Sequence, residues 1–186
     1  MSDISSRCFS VPRPLLVVLM GVSGSGKTTL GTVLAARIGA HFADADDFHP
    51  AANKAKMAAG IPLTDMDREP WLATLNSVLR GWMAAGESGI LACSALKETY
   101  RATLAEGMPQ GAVQFVFLDG SKELIAERLA QRHHEFMTGK LLESQFNTLE
   151  RPKDAICVVN DRTPDAVVEE ILSKLKQRSG EGTQAG

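Results

Sequence analysis

Three glycines, a lysine and a threonine stand together in GVSGSGKT at 21–28, directly after an apolar run at 15–20. Glycine is poor material for the interior of a strand or a helix, so this stretch needs bare backbone. G-x-x-x-x-G-K-[ST] between a strand and a helix is a pattern that surrounds phosphates with backbone N–H groups. Gly21, Gly24 and Gly26 keep side chains out of the way, with Val22, Ser23 and Ser25 between them. The helix beginning near Lys27 turns its positive end to the same point. Lys27 reaches the β- and γ-phosphates of ATP as a point charge, Thr28 offers its hydroxyl to Mg²⁺, and Thr29 completes the segment. The dinucleotide pattern G-x-G-x-x-G fails, because Thr29 stands where its last glycine belongs.

The acceptor side is DADDFHP at 44–50, just after a short predicted strand. In a parallel α/β sheet ligands gather at the carboxyl ends of the strands, which sets these carboxylates beside the phosphate loop. A carboxylate there can hold an acceptor hydroxyl, take its proton, or meet Mg²⁺ through water. Asp46 is the expected residue. Asp44 and Asp47 stay open between that chemistry and turn capping. His49 bonds a substrate hydroxyl or makes a structural hydrogen bond. Arg128 and Arg132 are four apart on one helical face, one to stack on a flat base and the other to grip phosphate. Ser94, Lys97 and Arg101 follow the third strand and open a helix, offering a hydroxyl and two cations to an acceptor. His133, His134 and Glu135 suggest a metal cluster, but no third ligand is in register, so they read as surface.

Positioning these groups requires alternating elements. Short apolar runs at 15–20, 41–45, 89–93, 113–118 and 155–159 read as strands. Helical periods fill 28–39, 69–85 with Pro70 in the first turn, 96–106, 121–132, and a last helix capped by Thr163. The implied fold class is α/β, a five-stranded parallel sheet flanked by helices on both faces. Residues 14–178 form one domain, with 1–13 and 179–186 as disordered leader and tail. The polar segment 133–151 exceeds an ordinary connection and reads as a mobile lid with its own helix.

Bulk properties narrow the class. The chain has 186 residues, 44% apolar and 23% charged, with a net charge of −2, which gives no nucleic-acid footprint. Cys8, Cys93 and Cys157 are too scattered for a disulfide framework and read as reduced thiols of a cytoplasmic protein. No run approaches a membrane span and no signal peptide is seen. A GTPase would need N-K-x-D and D-x-x-G. NKAK at 53–56 ends in lysine, and the second pattern is missing. The length fits a small-molecule kinase better than a motor ATPase. A nucleoside monophosphate kinase and a non-catalytic nucleotide-binding module are the rivals.

Taken together, GVSGSGKT, DADDFHP, NKAKM at 53–57, GIPLTDMDREPWL at 60–72, CSALKETYR at 93–101 and QFNTLER at 145–151 resemble the gluconokinase family, the small P-loop type related to shikimate and adenylate kinases. The resemblance covers about 15–175. A shikimate kinase is the nearest rival, but its glycine triplet after the third strand is replaced here by Cys93-Ser94-Ala95. The resemblance implies a P-loop NTPase fold with an adenylate-kinase-like core and lid, and commonly a homodimer. It implies transfer of the ATP γ-phosphoryl group to the 6-hydroxyl of D-gluconate, feeding sugar-acid catabolism and the pentose phosphate pathway. It also implies that 21–28 bind ATP and Mg²⁺, that Asp46 meets acceptor hydroxyl and metal, and that Arg128 lies on adenine and Arg132 on the phosphates. His49, Arg68, Ser94, Lys97 and Arg101 then line the sugar-acid pocket. Arg68 is the expected partner of the carboxylate, against a surface ion pair with Asp65 or Asp67.

Overall fold

Strand β1 (Leu16–Met20) is LVVLM, and all of it is buried. Successive side chains of a strand point to opposite faces, so β1 supplies two separate apolar layers. Val17 and Leu19 join one; Leu16, Val18 and Met20 join the other. A central strand of this kind must be covered on both sides. The computed structural model, which describes residues 14–131 and 139–181, meets that requirement. Strands β2 (His41–Asp44), β3 (Gly89–Ala92), β4 (Val113–Asp119) and β5 (Ile156–Val159) complete one sheet in the order β2-β3-β1-β4-β5. Every pairing is parallel, with Val18 opposite Leu91 on one side and Phe115 on the other.

Helix α1 (Lys27–Ile38) covers the first face with Leu30 and Leu34, beside Ile171, Leu172 and Leu175 of the last helix. On the second face lie Trp71, Leu72, Leu75 and Leu79, with Tyr100 and Leu104. These belong to α3 (Asp65–Ala85) and α4 (Glu98–Ala105). Helix α2 (Ala51–Ala58) precedes α3, and α5 (Lys122–Gln131) and α6 (Gly139–Thr148) lie between β4 and β5. The chain closes with α7 (Pro164–Glu181).

Five elements differ from expectation. A 3₁₀ turn at Ala45–Phe48 and all of α2 fill a stretch where the pattern predicted no helix. Helix α3 begins at Asp65 rather than 69, because Thr64 and Asp67 form a reciprocal capping box there. Pro70 therefore lies inside the helix, not in its first turn, and has no N–H to give the carbonyl of Met66. Helix α4 starts two residues late, since Lys97 is its N-cap and is extended, φ −97° and ψ 150°. Helix α7 runs through Glu181, past the predicted boundary at 178. Of the predicted lid, α6 is described. Arg132 and 133–138 lie outside the described residues, as do 1–13 and 182–186.

Candidate active site

The turn from β1 into α1 carries the motif glycines. Gly26 caps α1 in a left-handed conformation, φ 96°, and no side chain caps that helix end. The first amides of α1 are thus left for a ligand. A Cβ at Gly26 would lie 2.3 Å from Asn160 Nδ2, and one at Gly24, φ 82°, would lie 2.9 Å from Leu129 Cγ. Both clashes are with the protein. Asn160, just after β5, donates from Nδ2 to the Ser25 carbonyl at 2.8 Å and so braces the loop from behind. The Ser25 hydroxyl is buried without a hydrogen-bond partner.

Lys27 folds back across the loop and donates to the carbonyls of Gly21 and Val22, 3.0 Å each. Burial lowers its pKa from the ordinary lysine value, and Asp46, Cys93 and Asp44 oppose the shift. Of these the carboxylates matter at neutral pH, because burial pushes the Cys93 thiol up to about 12 and keeps it protonated. Thr29 is exposed on the first turn of α1.

The end of β2 delivers two carboxylates to the same place. Thr28 Oγ1 donates to Asp44 Oδ2 at 2.7 Å, while Asp44 Oδ1 accepts from the Asp46 amide at 3.1 Å. Asp44, left open by the sequence, is therefore both the cap of the 3₁₀ turn and the partner of the loop threonine. The Asp46 side chain is 88% exposed. Its carboxyl is raised above the ordinary aspartate value by the surrounding protein first and by Asp44 next, with Lys27 acting against them.

His49 is buried, stacked on Trp71 at 4.3 Å between ring centroids, with Nε2 4.0 Å from Asp46 Oδ1. Trp71 is itself pinned by its indole N–H on the Ala45 carbonyl, 2.7 Å. Asn53 Nδ2 donates to the Asp67 carbonyl at 2.7 Å and lies 3.5 Å from His49 Nδ1. An N–H donor facing Nδ1 leaves the neutral ring its proton on Nε2, toward Asp46. Burial, then Arg68 and Lys54, lowers the His49 pKa, which favours that neutral ring. Asn53 is the buried residue of α2, and sequence reasoning gave it no role.

Farther out, Lys97 does not stand free. Its ammonium bonds both oxygens of Asp65, at 2.9 and 2.7 Å, and the Tyr100 hydroxyl donates to the same carboxylate. Lys97 and Tyr100 together hold Asp65 below the usual carboxylate range. Arg68 lies over the Tyr100 ring, 5.7 Å from its centroid, and donates to the Leu63 carbonyl. It pairs with neither Asp65 nor Asp67: Asp67 goes to Lys56 at 2.7 Å. Arg101 turns inward and donates to the carbonyls of Ala95 and Leu96 at 3.0 and 3.2 Å, bracing the β3–α4 loop. Ser94 meets the phosphate loop through its carbonyl, which accepts from the Gly21 amide at 3.2 Å.

On the nucleotide side Arg128 is half-buried and donates to the Asn160 carbonyl. Arg132 lies outside the described residues, so the expected pair is seen in one member. Helix α6 reaches the loop directly. The Ser23 amide donates to Gln145 Oε1 at 2.7 Å, and Gln145 Nε2 donates to Ser23 Oγ at 3.1 Å. Neither Gln145 nor Asn160 was singled out from the sequence, because each acts on a partner more than a hundred positions away.

A family model described as an AAA domain matches residues 16–152. A curated gluconokinase of Gluconobacter oxydans is 46% identical over 164 residues, covering 86% of this chain and 90% of its own. A crystal structure of a gluconokinase from Sinorhizobium meliloti matches with a TM-score of 0.83 at 40% identity, over 93% of this chain and 98% of that one. A shikimate kinase from Aquifex aeolicus, TM-score 0.51 and 19% identical over 92% of this chain and 100% of its own, shares the fold alone.

Proposed function

This chain belongs to the gluconokinase family, and we propose that it transfers the γ-phosphoryl group of ATP to the 6-hydroxyl of D-gluconate, giving 6-phosphogluconate and ADP. The observation that carries this reading is the 2.7 Å bond from Thr28 to Asp44, which fixes the β2 carboxylates against the phosphate loop. A nucleotide's triphosphate and an alcohol acceptor then meet at one point.

The residues present fit both ATP and Mg²⁺. The uncapped amino end of α1 and Lys27 suit a polyphosphate. Thr28 and Asp44 offer hard oxygen donors of the kind Mg²⁺ takes and would hold the ion if it were bound. When bound, Mg²⁺ neutralises charge on the β- and γ-oxygens.

Asp46 orients the 6-hydroxyl in line with the γ-phosphorus and takes its proton. His49, with Nε2–H toward Asp46, bonds a neighbouring hydroxyl of the polyol. Lys27 leaves the Gly21 and Val22 carbonyls for the phosphates and, with Arg132, stabilises the transferring group. Arg128 borders the adenine. Arg68, Lys97 and Ser94 face the sugar acid, with Arg68 on the carboxylate, and Arg101 shapes their loop. Closure of a lid over 133–151 excludes water. A cytoplasmic setting and a homodimer complete the reading, the first supported by the free thiols Cys93 and Cys157, the second by family resemblance.

The test is ADP release by the purified protein with Mg²⁺–ATP and gluconate, shikimate or AMP in turn. Turnover with gluconate alone is expected. Turnover with shikimate or AMP, or with none of the three, overturns the reading.

A further inference from the structure

Helix α6 and the residue after it present Leu142, Gln145, Phe146 and Leu149 on one face, the i, i+3, i+4, i+7 spacing of a buried stripe. The three apolar members pack with Val22 of the phosphate loop, Leu96 of the β3–α4 loop, and Ile125 and Leu129 of α5. Gln145 is the polar member of that face, and its carboxamide meets one residue at two points. Oε1 accepts the Ser23 N–H at 2.7 Å, and Nε2 donates to Ser23 Oγ at 3.1 Å. A carboxamide accepts and donates in this way from one planar group; an ionised carboxylate accepts only. Because Ser23 Oγ accepts a hydrogen bond from Gln145, its own hydrogen is left to donate elsewhere. In a loop that gathers anions, a phosphoryl oxygen is the matching acceptor.

Just beyond the stripe, Glu150 ties the same segment to the acceptor side. Its amide donates to the Leu96 carbonyl at 2.9 Å, and its carboxylate accepts from the Glu98 amide at 2.6 Å. Helix α6 is thus anchored at both halves of the site, and its anchor on the nucleotide half is polar and directional.

We infer that Gln145 is a positioning residue for phosphoryl transfer, latching α6 to the phosphate loop through Ser23 and turning the Ser23 hydroxyl toward the phosphates. The inference rests on the ATP-dependent kinase reading above. With the latch made, the apolar face of α6 stays seated and water is kept from the γ-phosphorus. With it broken, water competes with the 6-hydroxyl. The bond from phosphorus to the β,γ-bridging oxygen still breaks, but the new bond forms to water, giving ADP and inorganic phosphate.

Three readouts test this on the full chain. The first is amide hydrogen exchange at Ser23 without any substrate: protection is expected in the wild type, lost in Gln145→Ala and kept in Ser23→Ala. Equal exchange at this amide in wild type and Gln145→Ala overturns the latch, whatever the substrate proves to be. The second is ADP formed per 6-phosphogluconate. Gln145→Ala is expected to lower kcat by about tenfold and raise that ratio at unchanged melting temperature. Gln145→Glu keeps the acceptor but not the donor, and is expected not to restore the ratio. The third is the double variant with Ser23→Ala, expected to be no worse than Gln145→Ala alone. A Gln145→Ala ratio equal to wild type, or losses that multiply in the double variant, overturns the proposal. A wild type that turns over no gluconate overturns the substrate reading instead, and the exchange experiment still decides the latch.

Discussion

Thr28 and Asp44 share a 2.7 Å hydrogen bond that joins the first turn of α1 to the end of β2. Asp44 also caps the turn that carries Asp46. One carboxylate thus registers the nucleotide half of the site against the acceptor half. Asp44→Asn keeps the shape and removes the charge. It is expected to raise the Mg²⁺ concentration needed for half-maximal rate by about 10–100-fold, the range for residues that support a metal site. Magnesium titrations at saturating ATP check this, and an unchanged requirement contradicts it.

In the proposed reaction Asp46 takes a proton, which it can do only when ionised, and its pKa is raised. The acid limb of kcat/KM should therefore fall at a pH above the ordinary aspartate value of 3.8. Asp46→Asn should lower kcat by about 10²–10⁴-fold, the span of general-base contributions. The same shift has a sign for stability. A folded chain that holds this proton more tightly than the unfolded one loses stability as pH climbs above 3.8. Asp46→Asn should then melt higher than wild type at pH 7 and alike near pH 3. Parallel melting curves at the two pH values decide it.

Asp67 runs the other way. Lys56, then the Thr64 amide and hydroxyl, hold it at about 2 rather than 3.8. Its contribution to stability is full above 3.8 and disappears as pH falls toward 2. Asp67→Asn should melt lower than wild type at neutral pH, and the gap should close in acid. A gap that persists at pH 2 would put the effect on packing instead.

Arg68 and Arg101 should separate cleanly. Arg68→Ala is expected to raise KM for gluconate by about tenfold or more and leave KM for ATP unchanged. Arg101→Ala frees the Ala95 and Leu96 carbonyls, so it should lower the melting temperature as well as the rate. Steady-state kinetics beside thermal melts distinguish the two.

Gly26→Ala would set a Cβ 2.3 Å from Asn160 Nδ2 at a φ of 96°. Loss of ATP binding and a lower melting temperature are expected. Adding Asn160→Ala should recover part of the melting temperature by removing the contact, while the backbone strain remains. No recovery would mean that φ alone governs the position.

The sheet was legible because its signals are local. β1 is a continuous apolar run ended by a motif glycine, and α7 carries a full stripe from Val167 to Leu175. Helix α2 was not, because Asn53 is its one buried residue and AANKAKMA has no stripe to read. The start of α3 stood in plain view as Thr64-x-x-Asp67, with aspartate where the capping box usually has glutamate or glutamine. Asp46 was chosen from the sequence, whereas the place of Asp44, left open there, needed the three-dimensional bond to Thr28. Lys97 read as an open cation because its partner Asp65 lies 32 positions away. Braces such as Asn160 and Gln145 leave no local trace at all.

The clashes that a side chain at Gly24 or Gly26 would meet are with Leu129 and Asn160, not with a nucleotide. Selection for a sound fold would preserve these glycines even in a descendant that had stopped phosphorylating anything. Their presence certifies the scaffold; the polar groups to which the proposed reaction is assigned, Lys27, Asp44, Asp46 and Gln145, are where a lapse of catalysis would be written first.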